Sequence, residues 1–334
     1  MRQLPAENVP YFVGSVQAAA DYLAPGAIEV NRYQAEIFDL VRRRFPFGQR
    51  VNQVPATGQP SRYFEQTAIA TATYADPRNI AAGLVPSQPT RVERYVTLKA
   101  IVAQINYSLF DVEVNQQQGQ FAYLEAKDLT DTVDGALKLH DLGLWTGNDT
   151  DLINPTTTQY FGVSGQIFTA PTVGAVPPTT LMSSTGSLVD TFKTKVANMV
   201  ARQDFEVKPS AIYLNPIASD FFDQEAKAVQ LYFNEVEVIP GVIVKALPTQ
   251  AGLLPLIPDP SISVFASLTG GVNLYTGFIV SEEFIEYHWL TSPVPRVFQL
   301  GLVGSLSGQF TIVKFGAVVV KGPSYAHTAV YFFR

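Results

Sequence analysis

The sequence predicts an α+β fold organised around one long helix. Three observations carry this. Residues 117–147 keep a helical period from end to end. Residues 62–103 contain two strand-like runs around a turn-rich tip. The second half alternates two shorter helices with many short strands.

In the stretch 117–147, Ala122, Ala126, Leu129, Val133, Leu137, His140 and Leu144 recur in steps of three and four. That spacing puts them on one face of a 3.6-residue period. Lys127, Asp131, Asp134 and Asp141 fall on the other side, and Gly143 and Gly147 read as stop signals. Gly135 inside the run costs about 1 kcal/mol against alanine. The helix would be about 40 Å long at about 1.5 Å per residue, far beyond the usual dozen residues. His140 sits on the apolar face, where a packed core imidazole is expected.

Composition narrows the function classes. The 334 residues are 47% hydrophobic but only 16% charged, against roughly a quarter charged in a typical soluble domain. A chain with so few charges and no membrane span is expected to bury much of its surface against other chains. The net charge of −6 argues against a general nucleic-acid binder. Without cysteine there is neither a disulfide nor thiolate chemistry. The uncharged stretches 152–189 and 260–281 are broken by Gly, Pro, Ser, Thr or Asn, so neither reads as a membrane helix.

In chain order, residues 1–46 form an extended arm punctuated by Pro5, Pro10 and Pro25, with one helical period over 33–44. Arg42, Arg43 and Arg44 close it. They either touch phosphate or acidic groups of a neighbour, or form a solvated helix end favoured by the dipole, and the second role is the expected one. Arg62–Tyr74 and Arg91–Ala103 read as the strands of a long hairpin around the tip ADPRNIAAGLVPSQPT. An isolated hairpin is marginally stable in water, so this one, with few large apolar residues near its tip, is expected to lean on something outside its own domain, the alternative being a hairpin folded back onto its own core. Residues 152–187 read as surface loop. Ser187–Arg202 is a helix with Leu188, Phe192, Val196, Met199 and Val200 inward, and Ser187 with Asp190 resembles a capping box. Ala211–Leu214 is a short buried strand, and Asn215-Pro216 starts a helix running to about Ala228. Val236–Val244 divides at Pro240-Gly241. Strands over 262–266, 278–290, 297–303, 309–321 and 328–333 complete the chain.

Catalytic motifs are sparse. There is no Gly-x-Ser-x-Gly elbow, no phosphate-cradling loop and no dinucleotide fingerprint. Glu282, Glu286 and His288 would share a face of one strand, as ligands of a divalent ion do. A charged outer strand face is the commoner outcome, so no metal, cofactor or catalytic residue is expected and the chain is not read as an enzyme.

The order of arm, long hairpin, strand, spine helix, Thr/Gly loop and α/β region resembles the major capsid protein of tailed double-stranded-DNA bacteriophages, a fold shared with encapsulin shells. VTLKAIVAQINYSLFDVEV (96–114) is similar to the family's strand between hairpin and spine. ALKLHDLGLWTGND (136–149) resembles its helix end and glycine turn. AIYLNPIASDFF (211–222) looks like its strand, Asn-Pro and helix, and VEVIPGVIVKALP (236–248) like its paired short strands. The resemblance implies an N-terminal arm (1–47), an extended hairpin loop (48–98) lying over the next subunit, a peripheral domain with the spine (99–156), an axial domain (157–305) whose tip meets others around five-fold and six-fold axes, and a return to the peripheral domain (306–334).

The implied function is a structural shell of hexamers and pentamers enclosing double-stranded DNA, in a virion assembled in the bacterial host cytoplasm. The implied partners are further copies of itself, a separate scaffolding protein, a portal and a cement or decoration protein, with no membrane. The alternatives are an encapsulin-like compartment holding cargo enzyme, and a β-rich hydrolase using Glu282, Glu286 or His288. Some family members cross-link a loop lysine to a neighbour's asparagine. Here the first lysine of the chain is Lys99, at the loop's edge, so that route is expected to be closed.

Overall fold

A computed structural model describes residues 46–79, 86–108, 110, 113, 124–147, 151–153, 157–169, 181–182, 187–202, 205–228, 234–239, 242–266, 273–303 and 307–333. The arm with Arg42–Arg44, the first turn expected for the spine (117–123) and the Pro240-Gly241 turn lie outside them.

Two sheets form the frame. The five-stranded sheet is built on β14 (Ser307–Val320). β4 (Lys99–Ser108) pairs along one side of it, and β13 (Arg296–Val303) and β12 (Ile285–Trp289) pair in succession along the other. β1 (Asn52–Pro55) adds to β12 in parallel. The eight-stranded sheet has the order β5 (Leu181–Met182), β15 (Thr328–Phe333), β11 (Asn273–Val280), β6 (Ala211–Leu214), β9 (Gly252–Pro258), β8 (Val242–Thr249) and β7 (Asn234–Ile239). The short β10 (Phe265–Ala266) shares an edge of β11 with β6. A separate two-stranded ribbon joins β2 (Ser61–Ala68) and β3 (Thr90–Val96).

Alternation along the strands divides the apolar residues between two cores. On β6, Ala211 and Tyr213 face one side while Ile212 and Leu214 face the other. The second side packs against α4 (Leu188–Val200) and α5 (Pro216–Ala228) through Phe192, Val196, Met199, Ala218 and Phe222. The first side is continuous with the spine helix α2 (Leu124–Thr146), α1 (Pro46–Arg50) and α3 (Val163–Thr169). Trp145 is at the centre. It is fully buried, its ring lies against Phe47, Tyr213 and Phe278, and its Nε1–H donates to Asp259 at 2.9 Å.

Several expectations are met in detail. β6 and β15 have the predicted bounds within a residue, and Asn215 Oδ1 accepts from Ile217 N–H at the start of α5. Ser187 caps α4 by accepting from Asp190 N–H. Glu225, reaching over from α5, completes that cap by accepting from Leu188 and Val189 N–H.

The differences have local physical reasons. α2 continues through Gly143 and stops at Gly147, where the backbone of Tyr160 comes too close for a Cβ. Ala126 is exposed, whereas Asp141 is 1% exposed because Gly48 N–H and the Ser261 hydroxyl both donate to it. The predicted strand 91–103 is two strands. The chain turns at Thr97-Leu98 and β4 leaves the ribbon for the five-stranded sheet. The first strand, predicted to reach Tyr74, ends at Ala68. The predicted surface loop contains α3, whose Val163 and Ile167 are buried and whose Gln166 bonds the β14 backbone on both its amide nitrogen and its oxygen. Val200 lies on the exposed side of α4, and the predicted strand 262–266 shrinks to β10.

The predicted strand 278–290 breaks at a 3-10 turn over Glu282–Phe284. Its two halves, β11 and β12, belong to different sheets. Strand pairing therefore crosses the expected 305/306 boundary twice: β12 and β13 join the five-stranded sheet, and β15 joins the eight-stranded one.

Candidate assembly surface

The ribbon β2–β3 is covered by its own chain on one face. Its inward positions, Ser61, Tyr63 and Glu65, alternate with outward ones, as a half-covered strand should. The described contacts with the body lie at the root. Ser61 Oγ lies 2.9 Å from His288 Nδ1, Gly322 N–H donates to Glu65 at 3.0 Å, and Val96 packs against Ala317 and Val319. On the outward face Phe64 is 72% exposed, and beyond β2 Ile69 is 78% and Tyr74 fully exposed. The ion pairs Arg62–Glu93 and Arg94–Glu65 join the two strands to each other. Exposed pairs of this kind contribute little stability.

A second uncovered surface lies where α2 crosses β4. A groove of ≈ 470 Å³ is lined there by Val102, Leu139, Leu142, Gly143, Thr146 and Tyr160. Leu139 and Val102 are more than half exposed. Exposed leucines and valines gathered along a groove mark an interaction surface more than scattered ones do.

The three residues considered as metal ligands do not converge. Glu282, in the turn between the sheets, accepts from Arg50 Nε at 2.6 Å and Nη2 at 2.5 Å, and from the Tyr213 hydroxyl. Arg50 Nη1 also donates to Val238 O at 3.0 Å, so the guanidinium ties α1 and β7 to the joint between the sheets. Glu286 faces His288 Nε2 and Lys321 instead. Among the described residues, no three His, Cys, Asp or Glu side chains are grouped as a metal site needs, and no helix is long and apolar enough to cross a membrane. His140 is 3% exposed, edge-on to Tyr160 and Tyr287, and burial holds it well below the usual imidazole range, so it is a neutral core residue. The Arg50–Glu282 clamp had no sequence signal, since its partners stand 232 positions apart.

Searches by sequence find no matching family profile and no matching curated protein. Solved structures do match. The capsid of cyanophage A-1(L) aligns with a TM-score of 0.63 at 9% identity, covering 92% of this chain and 97% of that one. The head of Helicobacter pylori bacteriophage KHP40 aligns at 0.58 and 10%, covering 99% and 97%. The holo-SrpI encapsulin of Synechococcus elongatus aligns at 0.54 and 12%, covering 95% and 94%. The chain thus has the major-capsid fold of bacteriophages, which encapsulin shells share.

Proposed function

We propose that this chain is a major capsid protein whose copies assemble into an icosahedral shell of pentamers and hexamers around packaged double-stranded DNA. The observation that carries the reading is the ribbon. Its described fastenings to the body lie at its root, and Phe64, Ile69 and Tyr74 stand in solvent. Burying them takes another copy, and a heterologous contact of that kind closes into rings when its rotation permits. On this reading the arm (1–47) and the loop (48–98) reach neighbouring subunits, and the tip of the axial region (within 157–305) gathers around the symmetry axes. A separate scaffolding protein, a portal and a cement or decoration protein are the further partners, and the particle is a virion assembled in the bacterial cytoplasm. The net charge of −6 is no obstacle, because counterions screen DNA driven in by a motor.

A second reading, a compartment holding cargo enzyme, is favoured by the near full-length likeness to the encapsulin. Electron microscopy with nuclease treatment separates the two. Shells that protect double-stranded DNA support the first, shells that co-purify with an enzyme support the second, and the absence of shells contradicts both. Covalent locking through the loop is not expected, since no lysine precedes Lys99. An isopeptide-linked ladder from loop residues in mass spectrometry would refute that point.

A further inference from the structure

Beside the packing of Val96 on Ala317 and Val319, polar groups fasten the ribbon to the body. Three positions on β2, two residues apart, each meet one. Ser61 meets His288. Tyr63 lies edge-on to His288 and under Lys321, whose Nζ is 5.8 Å from the ring centroid. Glu65 accepts from Gly322 N–H. Glu286 stands behind these contacts. One carboxylate oxygen lies 3.0 Å from His288 Nε2, and the other accepts from Lys321 Nζ at 2.5 Å. One partly buried carboxylate therefore aims both cationic or potentially cationic side chains that touch the ribbon.

The hydrogen-bond arithmetic is strict. An ionised carboxylate only accepts, so His288 Nε2 carries a hydrogen toward Glu286. A neutral ring then leaves Nδ1 as acceptor for the Ser61 hydroxyl, and Ser61 Oγ is free to accept from Thr57 N–H at 3.3 Å. A second proton on His288 would turn Nδ1 into a donor. The Ser61 hydroxyl hydrogen, on a residue 0% exposed, would lose its acceptor. A proton on Glu286 would leave Lys321 and His288 side by side without the anion that holds them. The charged and titratable groups facing this joint are Tyr63 and Glu65 on β2, Arg94 on β3, Glu286 and His288 on β12, and Lys321 after β14.

We propose that the root of the ribbon is a proton-sensitive hinge with Glu286 as its keystone: the carboxylate holds the ribbon at a fixed angle, and neutralising it frees the ribbon while both sheets stay folded. The hinge is a property of the single chain and does not depend on what a shell would contain. Burial pushes the Glu286 carboxyl up, but the bonds from Lys321 and His288 outweigh it and hold it below its ordinary value of 4.5. A carboxylate lowered in the folded state gives its full stabilisation at neutral pH and loses it as pH falls through the folded value, here below 4.5. Opening is thus an acid event in the wild-type chain and a neutral-pH event once the charge is deleted.

Amide hydrogen exchange on the full-length chain, corrected for intrinsic rates, reads this directly. The amides of β2 and β3 are compared with those of α4 and β6 from about pH 7 to about pH 3.5. In the wild type, the ribbon amides should lose protection roughly tenfold in acid before the reference amides change. Glu286→Gln, which keeps the shape and removes the charge, should show that loss already at neutral pH and no further acid step. The hinge is overturned if the variant follows the wild type at neutral pH, or if ribbon and reference amides open together. Should the variant fail to fold, the wild-type pH series still tests the hinge, which is overturned if ribbon and reference amides open together.

Discussion

A Cβ added to Gly135, on the solvent side of α2, would meet nothing within 4 Å, while one added to Gly162 would stand 2.5 Å from the carbonyl oxygen of Trp145. The two substitutions to alanine should therefore have opposite signs. Gly135→Ala is expected to stabilise the chain by up to ~1 kcal/mol, through helix propensity alone. Gly162→Ala is expected to cost about 2 kcal/mol or more, as overpacking does. Urea unfolding of both variants checks the pair. Lys314 gives a pH-dependent test. It is 3% exposed, its Nζ faces the Tyr287 ring at 4.6 Å, and burial pushes its amine down to about 8. The folded state thus holds this proton less tightly than the unfolded chain, whose lysine titrates at 10.5. The contribution of Lys314 to stability must rise with pH between about 8 and 10.5. Lys314→Met should be more stable than wild type at pH 7 by on the order of 2–3 kcal/mol, and the gap should narrow above pH 8. A gap that does not change with pH would show that the charge is not its cause.

At the scale of elements, the ribbon tip should behave as surface in the free chain and as interface in the shell. Ile69→Asp combined with Tyr74→Asp is expected to change the unfolding free energy by no more than about 0.5 kcal/mol and to abolish assembly. Denaturant unfolding and light scattering on the same samples read the two effects. The elements also explain what could be read from the sequence. β6, β15 and the start of α5 were legible because their signals are local: a short apolar run, an apolar terminus, an Asn-Pro pair. The ribbon was legible as a hairpin. The break inside 278–290 was not, because it is made by distant partners: the buried Ser281 hydroxyl hydrogen-bonds to Lys208 O or Ala326 O, and Arg50 holds Glu282. Asp141 looked solvent-facing by helical phase, yet Gly48 and Ser261, 93 and 120 positions away, draw it inside. α3 escaped because seven residues containing Ser, Gly and Thr carry too little period to stand out from a loop. At the candidate assembly surface, Tyr74 was read as the end of a strand and its full exposure was not anticipated, and the polar root around Glu286 was read as a charged strand face.

At the scale of the whole molecule, the spine and the two sheets form a well-buried body from which one apolar-tipped ribbon projects. The body is self-sufficient: two continuous cores close around Trp145 and around Phe192. The major-capsid fold is matched over more than nine-tenths of the chain, and on the proposed reading the ribbon finds its complement on the next copy. The most direct measurement is a cryo-electron microscopy reconstruction of the purified protein. The account predicts closed shells of uniform diameter in which residues 61–96 of each copy lie across a neighbour, with Ile69 and Tyr74 covered. A monodisperse single-copy particle with that ribbon folded against its own body would contradict it.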